Sequence, residues 1–226
     1  TDGPGNVLIG KLAGAAMTTG DYNVVIGYQA ADAMVDSNYN VAIGMNALGS
    51  EASGADNCVA IGIDALTLQN DASAINMAIG SAAGDAITSG TANVLIGHEA
   101  GSAFTTTDNN TALGYNALKL ATGTANTAIG QDAMNAACTG SYNVAVGSDA
   151  LGDSAAGTNN NVAVGVNALG KLNHNDGDSN IAIGMSAGRY YEDTASTTPG
   201  SATPDGNNTA SANSIFIGCA CVVTDE

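Results

Sequence analysis

The residues able to do chemistry are mostly carboxylates. Twenty-one Asp and Glu stand against four Lys and Arg in 226 residues, a formal charge of −17 with both histidines neutral. Cleaving a glycosidic bond needs two carboxyl groups about 5–10 Å apart. Here they are spread singly, which favours a solvated acidic face. His98 and His174 stand far apart in the chain, and His98 reads as a surface residue. The sequence holds no G-x-S-x-G, phosphate loop or H-E-x-x-H. It therefore reads as a non-enzyme without a cofactor. The densest oxygen cluster is NHNDGDSN at 173–180, where Asp176 and Asp178 flank Gly177. It is the candidate calcium loop, although it follows neither the EF-hand nor the nonapeptide pattern. The plainer reading is a polar turn.

Cysteines and tyrosines offer less chemistry. Cys58, Cys138, Cys219 and Cys221 include no C-x-x-C pair, which argues against zinc. The plain reading is four unpaired small apolar residues; an interchain bridge near the C-terminus is the sharper one. Tyr22, Tyr39, Tyr142, Tyr28 and Tyr115 recur at fixed places and could stack on sugars or simply cover an aliphatic corner. Tyr190 and Tyr191 lie in an irregular segment and are the candidate receptor-binding residues.

Composition narrows the class. There is no Trp, two Phe, 30 Gly and abundant Ala. Any core must be thin and filled by small side chains. The acidic balance excludes polyanions such as nucleic acid and anionic membranes. No apolar run is long enough to cross a membrane as a helix.

What would position these residues is a repeat. Its motif glycines are Gly10, Gly27, Gly44, Gly62, Gly80, Gly97, Gly114, Gly130, Gly147, Gly165, Gly184 and Gly218. The spacings are 17, 17, 18, 18, 17, 17, 16, 17, 18, 19 and 34. Such a period marks a solenoid. Asn stands four residues before the glycine in ten of the twelve copies, Asn40, Asn126 and Asn143 among them; Cys58 and Ser214 are the exceptions. Asn suits a corner, and stacked on itself it can form an amide ladder. The residues three and one before the glycine are large aliphatics or Thr, as in Val41 and Ile43 or Thr127 and Ile129, usually with Ala between. That period of two predicts a short strand with a bulky face and a close-packed Ala face. The second residue after the glycine is usually polar. The third is Ala in eleven of twelve copies, including Ala47, Ala133 and Ala150. This predicts a second short strand, then a turn. Frequent glycine and the Val-x-Ile alternation oppose a helical reading. The expectation is all-β: a β-solenoid or β-roll of about twelve coils over 1–188, an irregular exposed loop or degenerate coil at 189–213, and a final repeat at 214–226.

The stretches NVAIGMNAL (40–48), NTALGYNAL (110–118), NTAIGQDAM (126–134) and NVAVGSDAL (143–151) resemble the head repeats of trimeric autotransporter adhesins. They resemble still more the repeats of bacteriophage tail fibres, whose length fits a period near 17. The likeness covers nearly the whole chain outside 189–213. It implies a left-handed roll in each chain, three rolls about one axis, and an extracellular setting on a virion tail or bacterial surface. The function expected is a structural fibre or adhesin segment that displays or forms a surface for a glycan or protein receptor. An end-to-end extracellular filament or matrix protein is the main alternative. An ice-binding solenoid with a threonine column is a lesser one, and a polysaccharide-cleaving β-helix the last.

Overall fold

The computed structural model describes residues 3–50, 54–71, 73–153, 157–171, 178–189 and 214–219. The chain is all-β, with twelve parallel strands arranged as a β-solenoid of about 17 residues per turn. It divides into two compact units, Thr1–Tyr115 and Asn116–Glu226. The first holds β1 (Val7–Ile9), β2 (Val24–Ile26), β3 (Val41–Ile43), β4 (Val59–Ile61), β5 (Met77–Ile79), β6 (Val94–Ile96) and β7 (Thr111–Leu113). The second holds β8 (Thr127–Ile129), β9 (Val144–Val146), β10 (Val162–Val164), β11 (Ile181–Ile183) and β12 (Ile215–Ile217). Within each unit every strand pairs in parallel with the next, residue on equivalent residue, as in Val41↔Val59, Ala42↔Ala60 and Ile43↔Ile61. Each coil below takes the number of its strand.

Strand pairing explains why the motif glycine is glycine. Its φ lies between 125° and 147° in every coil. A Cβ on Gly44 would sit 2.4 Å from the carbonyl oxygen of Gly62, and one on Gly130 2.5 Å from that of Gly147. Conformation and space each exclude a side chain.

The Ala face of the strand points inward. Ala42, Ala60, Ala78, Ala128, Ala145, Ala163 and Ala182 are fully buried, whereas the flanking residues are half-buried, as Val41 and Ile43 are, or partly exposed, as Ile181 and Ile183 are. What approaches the Ala face is the far side of the same coil. Ala47, Ala65, Ala133 and Ala150 meet it there, as do Leu48, Leu66, Met134 and Leu151. Volume is balanced coil by coil. Where the fourth residue after the motif glycine is large, as Leu118 is, the seventh is small, Ala121. Where it is Gly14, Ala31, Gly84 or Gly101, the seventh is Met17, Met34, Ile87 or Phe104. A thin core tolerates only this kind of exchange.

The second strand expected after the glycine does not form. The second and fourth residues there have positive φ, as in Asn46 (55°) and Leu48 (53°) or Asp132 (54°) and Met134 (48°). They alternate with residues of negative φ, so the segment is a turn. Ala, Asn, Asp and Gly have low strand propensity, and three of these four types tolerate the left-handed region. Its amides still bond between coils, in alternating directions: Asn46 N–H donates back to Tyr28 O (3.1 Å), and Leu48 N–H forward to Ala65 O (3.1 Å). Leu in this conformation costs about 1–2 kcal/mol. Burying it returns about 1.5–3 kcal/mol, so burial wins.

The asparagine column is a buried ladder. Asn126 Oδ1 accepts the backbone N–H of Asn143 (2.9 Å) and its amide (3.1 Å). Asn143 Oδ1 serves Asn161 in the same way, and Asn161 serves Asn180. Each amide also donates to a turn carbonyl of the next coil: Asn40 to Ala55 O (2.7 Å), Asn126 to Gly140 O (3.0 Å), Asn143 to Thr158 O (2.8 Å). One carboxamide thus donates and accepts at once, and its burial is compensated.

Candidate functional site

Period-two alternation carries the outward face one residue beyond the strand at each end. Positions five, three and one before the motif glycine, and the one after it, all point away from the core. In the first unit this face reads Tyr22, Val24, Ile26, Tyr28 on coil 2 and Tyr39, Val41, Ile43, Met45 on coil 3. Coil 4 presents Asn57, Val59, Ile61, Ile63, and coil 5 Ile75, Met77, Ile79, Ser81. Ile75 is 62% exposed, Ile63 48% and Met45 42%. None of these sixteen side chains is charged, in a chain of net charge −17. In the second unit the equivalent face carries Ile129, Val144, Val146, Val162, Val164, Val166, Ile181, Ile183 and Met185. Contiguous exposed apolar surface of this kind marks an interaction site.

The tyrosines edge that face. Tyr22 and Tyr39 stack with ring centroids 5.4 Å apart and planes 6° apart. A Cβ on Gly5 would lie 2.6 Å from the Tyr22 ring, so that ring also packs over the backbone of the coil before. Stacking along the coil axis uses the ring faces and leaves the hydroxyl edges outward. His98 and Tyr115 stack likewise, at 5.4 Å. His98 is half exposed, with Nδ1 3.9 Å from Glu99 Oε2. Tyr142 is exposed at the same place in the second unit.

A second polar ladder, six residues before the motif glycine, was not read from the sequence. Here the earlier coil donates and the later side chain accepts, opposite to the asparagine ladder. Asp21 N–H donates to Asn38 Oδ1 (2.9 Å), and Asn38 N–H to Asp56 Oδ1 (2.6 Å). Thr91 N–H donates to Asp108 Oδ1 (2.7 Å), Ser141 N–H to Asn159 Oδ1 (2.9 Å), and Asn159 N–H to Asp178 Oδ1 (2.6 Å). The residue between the two ladders holds positive φ, as in Tyr22 (56°) and Tyr142 (61°). The available signal was a column of Asp, Asn, Ser and Thr at that register.

Of the candidate calcium loop, Asp178 is described and its Oδ1 is engaged by Asn159, through the backbone N–H and the side-chain amide (3.3 Å). Asp176 and His174 lie outside the described residues, as do Tyr190, Tyr191 and the rest of the irregular segment after Arg189. Among the described residues, no group of three or more His, Cys, Asp or Glu is placed to hold a metal ion. Cys58 and Cys138 are buried and Cys219 is exposed. The threonines do not share one column. Thr88 pairs with Thr105, but the coil neighbour of Thr18 is Val35, and that of Thr122 is Cys138 rather than Thr139.

These features define a class: a β-solenoid repeat protein with a small-residue core, polar ladders and, in each unit, an outward face free of carboxylates. Among the described residues no helix is long and apolar enough to cross a membrane. Comparison of the chain with protein-family models, curated proteins and solved structures finds no match.

Proposed function

We propose that this chain is a structural, adhesive fibre segment that works as a homo-oligomer, with three copies closing around the carboxylate-free outward face. The carrying observation is that face. Its aliphatic columns run the length of the strands, and they are the surface of this acidic chain that a like-charged copy can approach without repulsion. The resemblance of repeats such as 126–134 to tail-fibre and adhesin heads supports the same reading and supplies the number three and the extracellular setting. Work is done by stiffness, because each coil is held by its neighbours. Receptor contact, to a glycan or protein, falls to the exposed edges and to Tyr190 and Tyr191, with avidity from three copies.

Light scattering on the isolated chain tests this. The expected mass is three times that of one chain. Ile43→Lys with Ile61→Lys, outward on β3 and β4, should yield soluble monomer with unchanged circular dichroism. A wild-type monomer overturns the reading. A second reading is an end-to-end filament, in which the strand edge of one copy continues the parallel pairing of the next. Open-ended polymers in the same measurement would favour it.

A further inference from the structure

A corner of the coil, formed by the second and fifth residues after the motif glycine, collects carboxylates. Beside Asp32, Asp64 and Asp132 sits an amide. Gln29 Nε2 donates to Asp32 Oδ2 (3.2 Å), Asn46 Nδ2 to Asp64 Oδ1 (3.0 Å) and Asn135 Nδ2 to Asp132 Oδ1 (2.9 Å). Coil 5 departs from this: the second residue is Ala82 and the fifth is Asp85. Asp85 Oδ1 is closed off from solvent and has no hydrogen-bond partner. Asp64 on coil 4 and Glu99 on coil 6 hold the second position of this corner in the adjoining coils, and both are acidic.

We propose that coil 5 carries a pH-sensitive latch: the corner it shares with coils 4 and 6 is held more firmly when Asp85 is protonated than when it is ionised. An ionised Asp85 is repelled by both neighbours and lacks the amide that Asp32 has. A protonated one is neutral and gains an O–H donor to offer to carboxylates. Burial pushes the Asp85 carboxyl above the ordinary aspartate value; Asp64 and Glu99 add to the rise, and the backbone N–H groups of Asp85 and Ala86 oppose it. A group whose folded pKa lies above its unfolded one stabilises the fold when protonated. That contribution is complete below the unfolded value, about 3.9, and is lost as pH rises through the folded value.

The test is thermal melting of wild type and Asp85→Asn across pH, at fixed protein concentration. At neutral pH the variant should melt about 2–4 °C higher, the shift that a change of about 1 kcal/mol gives a chain of this size. The gap should close as pH falls to the ordinary aspartate range. Ala82→Gln, which supplies the donor that Gln29 gives Asp32, should raise the neutral-pH melt and lower the Asp85 midpoint. That midpoint is read directly from the carboxyl-carbon shift in wild type. A gap independent of pH, a variant that melts lower at neutral pH, or an Asp85 that titrates in step with the other aspartates overturns the proposal. The last reading needs neither variant to fold.

Discussion

The asparagine ladder is intact in the second unit and interrupted in the first. From Asn126 through Asn143, Asn161 and Asn180 to Ser214, each side-chain oxygen accepts the next coil's backbone N–H at 2.9–3.0 Å. In the first unit the run Asn6, Asn23, Asn40 meets Cys58 before it resumes at Asn76. The Cys58 thiol donates to Ala74 O at 3.4 Å, as an amide would, but sulfur is a weak acceptor. A patch has grown beside it. Gln69, fully buried where other coils place Met or Phe, accepts from Asn76 Nδ2 (2.7 Å) and donates to Thr88 O (3.2 Å). The lesson is that a ladder residue is defined by its neighbours above and below. One substitution touches three coils, and the polar core residue Gln69 bonds the next rung, Asn76.

Breaking the backbone common to both regions should have the largest effect. Gly147→Ala places a Cβ 2.6 Å from the carbonyl of Gly165 at a φ of 137°. Strain and clash together should cost about 4 kcal/mol or more, enough to abolish cooperative unfolding of the second unit in urea. Next comes the intact ladder. Asn143→Ala strips an acceptor from the Asn161 N–H and a donor from Thr158 O. Two buried groups left unpaired should cost about 2–4 kcal/mol. The expected sign is faster hydrogen exchange at Asn161, with no comparable change at Asn40 in the other unit.

A smaller effect separates two solutions to the same backbone. The fourth residue after the motif glycine has φ near 60° whether it is Gly101 (61°) or Leu66 (49°). Gly101→Ala meets Leu95 at 2.9 Å and Phe104 at 3.1 Å. Its expected cost is about 1–2 kcal/mol by urea titration. If Leu95→Val is added, the combination coil 2 uses with Val25 and Ala31, most of that loss should return, because the clash rather than the φ sets the cost.

The sequence carried the strands, the glycine column and the asparagine ladder, because each rests on one residue type repeated at one register. Val41, Ala42 and Ile43 announce a strand by alternation alone. The turn after the glycine was misread because Ala and Leu alternate with polar residues there just as they would in a strand; only the positive φ at Asn46 and Leu48 separates the two. The inward direction of the Ala face was equally hidden, since both faces are apolar. The second ladder was missed because it mixes Asp, Asn, Ser and Thr, which look like unrelated turn residues until the coils are stacked. Asp85 could not be picked out at all. Its isolation depends on Ala82 beside it and on Asp64 and Glu99 in other coils.

The smallest predicted change tests the comparison most directly. Cys58→Asn should exchange the weakly accepting sulfur of coil 4 for an amide oxygen and make the first unit's ladder asparagine throughout. Asn40 Oδ1 already accepts the N–H of residue 58 at 2.8 Å, so the lower rung is in place. The new amide would take over the thiol's bond to Ala74 O, and its oxygen would face the coil of Asn76. One neutral hydrogen bond gained within the core stabilises by about 1 kcal/mol. The urea midpoint should rise, and exchange at Asn76 should slow toward that of Asn143. Gln69→Met in the same background should then cost less than it does beside Cys58, because the patch has lost its purpose. Equal costs in both backgrounds would mean that Gln69 answers to Asn76 alone, and that the gap at Cys58 never weakened the coil.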